Sequence, residues 1–551
     1  MNQFLPDRTY IFLFSLLCLV YTIGLFVPLM DNDAAHHANI ALRMHLTGDY
    51  VNLVDNGKDY LDKPHLHFWL CALAYDIFGV TTFAYKLPSF LFTILGIYST
   101  YRLGKSLYNP ETGKLAALVL ACSFSWILAS NDVRMDAILA ATIAFTTWQV
   151  VDFIHEKTIL NLIGSALGLA LGFCTKGHIA VFTPLVGILF YILYLKEWKI
   201  FLNWKLVFLL ALFFVFISPV LYCYYLQYDL HPEKIVRGRN HISGIKFILW
   251  DQAFERFKGD SFGSDAGNDY LFFLHSFLWA FAPWSVLSCI ALADRIRSFF
   301  SRKEEWLTIG TFAIMLVLIS VSGFKLPHYL NIIFPVAVIM TASWLLAKRD
   351  KPKWVSVIFL IQTILIFLML VIMAVINLWA FPINRWWIAL GVLLLLSVLF
   401  YYWKKKEFTL LQKSIVCSST IIILFFFLLN SNFYPQILRY QAGNELAKKV
   451  KGTLAPSRIY FWNDTYSNSF NFYTSSLRQP FSDSLLNQGK SVWLFFDKKS
   501  LPEIQASGYL LGKQYAHNDY EITMLSLKFV NPHRRNEELS EMILAEITGK
   551  Q

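Results

Sequence analysis

Apolar residues recur along this chain in runs near 20 residues long, and no other feature restricts its fold as strongly. Wound as a helix, a run of that length crosses the roughly 30 Å hydrocarbon layer of a bilayer. Inside that layer every backbone N–H and C=O must be satisfied within the chain, which leaves helices or closed barrels. The runs are too long for barrel strands, so the chain reads as a polytopic α-helical membrane protein. Hydropathy gives roughly thirteen spans, near residues 10–29, 86–104, 114–130, 137–154, 159–175, 179–195, 205–225, 270–292, 307–323, 329–347, 354–377, 385–402 and 414–430. Composition agrees: 56% of the 551 residues are hydrophobic and 15% are charged, where soluble chains carry nearer a quarter.

The net charge of +11 does not point to nucleic acid, because Lys and Arg punctuate the apolar runs as topology signals do. With the N-terminus placed inside, Arg8, Arg102, Lys105, Lys157, Lys196, Lys199, Arg295, Arg297, Lys348, Arg349 and Lys404 to Lys406 all fall on one side. The positive-inside rule makes that side cytoplasmic. The seven cysteines lie in or beside apolar runs with no CxxC pair, and they read as small core hydrophobes. The first run lacks a small-residue cleavage site, so no cleavable signal peptide is expected.

The outer segments differ in kind. Two are long, about 30–85 and 226–269, and the chain after Ser431 is also outside. Residues 1–431 read as a transmembrane catalytic domain and 432–551 as a small α/β domain. Strands are expected at Arg458–Trp462, Ser491–Phe496 and Tyr520–Ser526, with a helix at Leu501–Ser507. Ionisable groups gather at the outer ends of spans, where they are expensive unless paired or functional.

The first outer segment is the densest, with Asp31, Asp33, His36, His37, Asp49, Asp62, Lys63 and His65. Asp33 to Leu46 reads as a short interfacial helix stopped by Thr47-Gly48. One Asp could serve as general base for an acceptor hydroxyl while Lys63 neutralises a phosphate. The structural alternative is that Asp33 caps the helix and Asp62-Lys63 is a solvated pair. Asp136 opens the fourth span. Lys176 opens the sixth against the charge rule, which suits an anion site. Lys325 and Tyr329 stand at the outer end of the tenth, and Arg256 suits bidentate phosphate recognition. The spacing of His36, His37, His65 and His67 matches no standard metal cluster.

As a set these motifs resemble the bacterial lipid-carrier glycosyltransferases that include the lipid A aminoarabinose transferase and, more distantly, the protein O-mannosyltransferases. Asp33-Ala-Ala-His36-His37-Ala-Asn-Ile40 is similar to their Asp-Glu-x-Arg-Tyr-Ala-Glu-Ile segment. Gly48-Asp-Tyr50 matches Gly-Asp-Trp, and Tyr60-Leu-Asp62-Lys63-Pro64 matches Tyr-Phe-Glu-Lys-Pro. Thr175-Lys176-Gly177, Glu255-Arg256-Phe257, Pro283-Trp284-Ser285 and Lys325-Leu-Pro-His-Tyr329 continue the series in order. The resemblance covers roughly the first 340 residues. It implies a GT-C fold and an inverting glycosyltransferase of the bacterial inner membrane with its active site and C-terminal domain in the periplasm. The donor would be a sugar on undecaprenyl phosphate, and the acceptor lipid A, another envelope glycan or a protein.

The essential Asp of that family maps onto Asp33, its Glu-Lys pair onto Asp62 and Lys63, its fourth-span Asp onto Asp136 and its late Tyr onto Tyr329. The chain departs from the pattern at Ala34, at His36-His37 and at Ala253, which stands where a metal-holding His would be. No cofactor is therefore assigned, and Asp62 is the residue a divalent metal would use. An envelope glycan ligase or polymerase is one alternative. A lipid or glycan transporter is another, although no internal repeat of the transporter kind is visible. No oligomeric state is assigned.

Overall fold

The computed structural model describes residues 3–31, 33–133, 135–253, 269–301, 303–463, 465–488 and 492–550. A helical bundle comes first: α1 (Asp7–Gly24), α2 (Asp33–Thr47), α3 (Leu66–Phe78), α4 (Thr82–Leu107), α5 (Pro110–Ala121), α6 (Phe124–Asn131), α7 (Asp136–Glu156), α8 (Ile159–Lys176), α9 (Ile179–Leu195) and α10 (Lys205–Tyr224). Helices over Phe272–Ala280, Ser285–Ser298, Leu307–Ser320, Phe334–Ala347, Pro352–Ala374, Trp386–Lys404 and Leu410–Leu428 complete it.

Among the described residues, eight helices are long and apolar enough to cross a membrane, and α5 with α6, bent by 56°, makes a ninth. The other runs expected to span are helical too. α9 and Leu307–Ser320 are shorter, and the run near 270–292 is interrupted between Ala280 and Ser285. α4 has the length but carries Lys86, Arg102 and Lys105. The bundle is that of a multi-pass membrane protein.

Burial sorts the helices into layers. Leu410–Tyr440 is wholly enclosed, whereas Lys205–Asp229 and Trp386–Lys404 bury only 17% of their apolar window and turn leucine, valine and phenylalanine outward, as a lipid solvent permits. Small residues let helices approach: a Cβ on Gly96 of α4 would meet Trp126 and Ala141, and one on Gly168 would meet Thr146. The cysteines are free. Cys18 alone of the seven is exposed, on the outward face of α1, and so departs from the expected core role.

The first outer segment folds against one end of this bundle. α2 forms at Asp33–Thr47 and ends at Gly48, whose φ of +70° suits a residue without a Cβ. α3 is too short at 13 residues to span a bilayer. Between them lies a two-stranded hairpin, β1 (Val54–Asp55) and β2 (Lys58–Asp59), turned at Asn56-Gly57.

The C-terminal part carries a four-stranded sheet of β3 (Ile459–Phe461), β4 (Val492–Asp497), β5 (Tyr509–Asp519) and β6 (Ser540–Lys550), in the order β3-β4-β6-β5. β3 and β4 run parallel and the other pairs antiparallel. β4 is apolar on both faces because both are covered. Trp493 and Phe495 pack with Leu446 and Phe470, while Leu494 and Phe496 pack with Trp462 and Ile504. The expected helix forms at Leu501–Ala506.

The expected strand at Tyr520–Ser526 is not there. The Tyr520 hydroxyl donates to the Met524 carbonyl at 2.7 Å and accepts from the Ser526 amide at 2.9 Å, closing a turn instead. Strand geometry falls to the flanking β5 and β6. β5 is the sheet's edge strand and its polar outer face disguised it, since edge strands are commonly charged and half exposed.

Candidate functional site

The site is assembled where α2, the β1–β2 hairpin and the ends of α7 and α8 meet. Met135 precedes α7 in the left-handed region at φ 65° and is fully buried against Ile40 and Met44 of α2. That conformation costs about 1–3 kcal/mol and persists where packing over-determines it. Here it delivers Asp136 as the first residue of α7.

Asp136 is 1% exposed. The Lys176 ammonium, at the end of α8, donates to it at 2.7 Å, and His328 lies 3.5 Å from its other oxygen. Lys176 also sits 4.7 Å from the centre of the Tyr329 ring. The chain turns sharply after Lys176 at Gly177 (φ +70°), where a Cβ would come within 2.4 Å of the Gln252 side chain. Thus three expected site residues, Asp136, Lys176 and Tyr329, are brought into direct contact.

Asp33 opens α2, one helical turn before His37, so the two share a face. His37 is buried among the His36, His67, Tyr60 and Phe68 rings, and the Tyr60 hydroxyl lies 3.5 Å from its Nε2. Burial, then the charges of His36, His67, Lys63 and Lys176, hold its pKa well below the ordinary value, so it is neutral at physiological pH. Burial also pushes the Tyr60 hydroxyl up, helped by Asp62 and Asp33.

His36 behaves oppositely. Burial lowers its pKa, but the Asp55 carboxylate 3.0 Å away, with Asp33 and Asp62 beyond, reverses the sign and raises it. A raised folded value stabilises the protein below the unfolded pKa of about 6.5, and that contribution disappears as pH climbs through the folded value. The melting-temperature gap between the parent and His36→Gln should accordingly be widest below about pH 6.5 and close on the alkaline side. A gap that widens with pH contradicts the pairing.

The Asp62 carboxylate accepts a hydrogen bond from Arg237. Lys234 reaches Asp59 at 3.3 Å, and Gln227 bonds both Leu53 and Asp59. The 226–252 segment is thereby fastened along the hairpin. Arg237 was not singled out in the sequence, yet it carries the signal that exposed Lys176: a cation in a segment read as outer, against the charge rule. His328 and Asp55 were missed because only the fold brings them to Asp136 and His36.

Lys325 is buried, with its ammonium 5.2 Å from the centre of the Tyr270 ring. Arg256 lies outside the described residues. Asp62, the residue a divalent metal would use, is engaged by Arg237, and Ala253 offers no ligand. Among the described residues no three His, Cys, Asp or Glu side chains converge as a metal-holding group.

A site of this kind, on a bundle of this kind, has recognisable relatives. A family model described as dolichyl-phosphate-mannose-protein mannosyltransferase matches residues 62–223. The undecaprenyl phosphate-alpha-4-amino-4-deoxy-L-arabinose arabinosyl transferase of Pseudomonas aeruginosa (strain UCBPP-PA14) is 26% identical over 339 residues, 59% of this chain. The corresponding transferase 1 of Pseudomonas fluorescens (strain Pf0-1) is 26% identical over 335 residues. The chain spans 58% and 55% of the length of these two relatives. The crystal structure of ArnT from Cupriavidus metallidurans bound to undecaprenyl phosphate superposes with a TM-score of 0.75 at 16% identity, covering 98% of this chain and 99% of that one. The apo oligosaccharyltransferase of Archaeoglobus fulgidus gives 0.51 at 11% identity, covering 91% and 73%. The fold is that of a GT-C membrane protein with a C-terminal sheet domain, and the chain resembles the lipid A aminoarabinose transferase.

Proposed function

We propose that the chain is an inverting glycosyltransferase of the bacterial inner membrane. It moves a sugar from undecaprenyl phosphate to an acceptor on the periplasmic side, where its C-terminal domain also lies. The observation that carries the reading is the buried Lys176 ammonium, held by Asp136 at 2.7 Å and 4.7 Å from the Tyr329 ring centre, where the start of α7 packs on the helix that Asp33 opens. A carboxylate at the head of α2, with a buried ammonium where α7 and α8 meet, suits a reaction that takes a proton and releases a phosphate. The curated relatives, whose names specify an undecaprenyl phosphate-linked aminoarabinose donor, support the donor class.

In this reading the acceptor hydroxyl oxygen attacks the anomeric carbon from the face opposite the phosphate. The new C–O bond forms as the bond from the anomeric carbon to the phosphate oxygen breaks. The hydroxyl proton passes to the Asp33 carboxylate, and the electron pair leaves with undecaprenyl phosphate. Phosphate is already a competent leaving group, so the developing charge needs cations rather than a general acid. Lys63 and Lys176 supply them at low dielectric, where fixed charges are most effective. Asp136 and Tyr329 position Lys176; Arg256 and Lys325 remain candidate phosphate ligands of the outer rim.

Lipid A is the favoured acceptor, with other envelope glycans and secreted protein as the remaining classes. Mass spectrometry of lipid A and of periplasmic glycoproteins from a deletion strain tests this directly. Loss of a sugar from lipid A is the expected result, and an unchanged envelope in which no glycan loses mass contradicts the reading. Because Asp62 is held by Arg237 rather than free for a metal, chelation with EDTA is expected to leave transfer unchanged, whereas Arg237→Ala lowers it by loosening the hairpin. A chelator-sensitive parent enzyme whose activity returns with added divalent cation would contradict that assignment.

A further inference from the structure

Residues 28–31 leave α1 and lead into α2, and this short non-helical link has backbone groups that no helix satisfies. Their partners come from the far end of the chain. The Leu29 amide donates to the Tyr473 hydroxyl at 2.8 Å, and its carbonyl accepts from Gln441 at 3.0 Å. The Asp31 amide donates to the Gln441 side-chain oxygen at 2.7 Å. The Asp31 carboxylate accepts hydrogen bonds from the Ser467 hydroxyl at 2.5 Å, the Ser469 hydroxyl at 2.9 Å and the Ser469 amide at 3.1 Å. Further along α2, Asn39 donates to the Asn468 carbonyl at 2.8 Å. Phe472 is buried against the alanine face of α2, among Ala34, Ala35 and Ala38.

The inference concerns a positioning element and rests on the proposed role of Asp33. We infer that the C-terminal domain sets the position of α2 through Asp31, two residues before the candidate base. A domain that merely decorated the bundle would need no carboxylate at this point. A carboxylate accepting three hydrogen bonds fixes both the height and the rotation of the helix that follows. Because Asp33 opens α2 immediately after this link, a small rotation would move the base relative to Asp136 and Lys176 on α7 and α8. A displacement near 1 Å can cost about 10²-fold in rate without loss of binding. The donor's phosphate is held by cations on other elements, so its affinity is unaffected.

The test uses the full-length protein in detergent with Asp31→Asn and Ser467→Ala/Ser469→Ala. Lys498→Ala, at an exposed ion pair on the C-terminal sheet domain, is the control. Two quantities are read. The first is steady-state transfer, where kcat should fall about 10²-fold with the donor KM unchanged in both α2-anchor variants and neither quantity altered in the control. The second is amide hydrogen exchange across residues 33–47 without substrate, which should speed up roughly tenfold when these bonds are lost. Exchange reports on the coupling even if the chain transfers no sugar, so failure of the functional reading and failure of this inference are separable. Parent-like exchange in α2 overturns the inference, as does accelerated exchange accompanied by parent-like kcat. If Asp31→Asn does not fold, the paired serine variant, which keeps the carboxylate, supplies both readouts.

Discussion

Asp33→Asn is expected to lower turnover by about 10²–10⁴-fold, the range a positioned general base contributes. The amide has the size of the carboxylate but cannot take the acceptor's proton. Donor binding should survive, because Asp33 does not neutralise the phosphate. Removing a negative charge from the site would, if anything, strengthen the hold on an anionic donor. The signature is therefore a fall in kcat with the donor KM unchanged or slightly lower, measured by transfer from a polyprenyl-phosphate sugar in detergent. A rise in KM with kcat preserved would make Asp33 a binding residue rather than a base.

The second large effect lies at Asp136 and Lys176. Both are buried, at 1% and 7% exposure, and they meet at 2.7 Å. Lys176→Met takes the ammonium away from the enclosed Asp136 charge, beside which His328 lies at 3.5 Å. Removing one member of a buried pair costs about 3–5 kcal/mol, since the other loses water and partner together. Removing both charges, as Asp136→Asn with Lys176→Met, relieves that penalty and should recover most of the stability. It should not recover transfer, because the cation is gone. Thermal unfolding of the three chains beside their turnover separates the two roles. A double variant that regains activity would reduce the pair to a structural lock.

The helices were legible because hydrocarbon imposes one rule on every backbone group, and runs of apolar residues answer it. Lys176 stood out for a related reason: it breaks the charge rule, and such a violation needs a partner. That partner, Asp136, was itself visible as an ionisable group at the mouth of a span. What sequence could not supply was the pairing across elements. Asp62 stands next to Lys63 in the chain yet bonds Arg237, because the 226–252 segment lies along the hairpin. His328 lies far along the chain from Asp136, and only the folded bundle brings the two to 3.5 Å.

The C-terminal sheet was half legible for a similar reason. β4, covered on both faces, reads as a continuous apolar run, while β5 at the edge looks polar and Tyr520–Ser526 looks extended but closes a turn through its own hydroxyl. The hydrogen bonds of Asp31 belong to the same class of hidden information. An Asp followed 436 residues later by a serine carries no local pattern.

The central claim, transfer of a sugar from a lipid phosphate, is tested most directly with purified protein in liposomes, an undecaprenyl phosphate-linked sugar and lipid A. Mass spectrometry should find lipid A heavier by one sugar, with the anomeric configuration inverted and free undecaprenyl phosphate released in equal amount. Passage of the intact lipid-linked sugar across the bilayer, with lipid A unchanged, would contradict the account and make the protein a transporter.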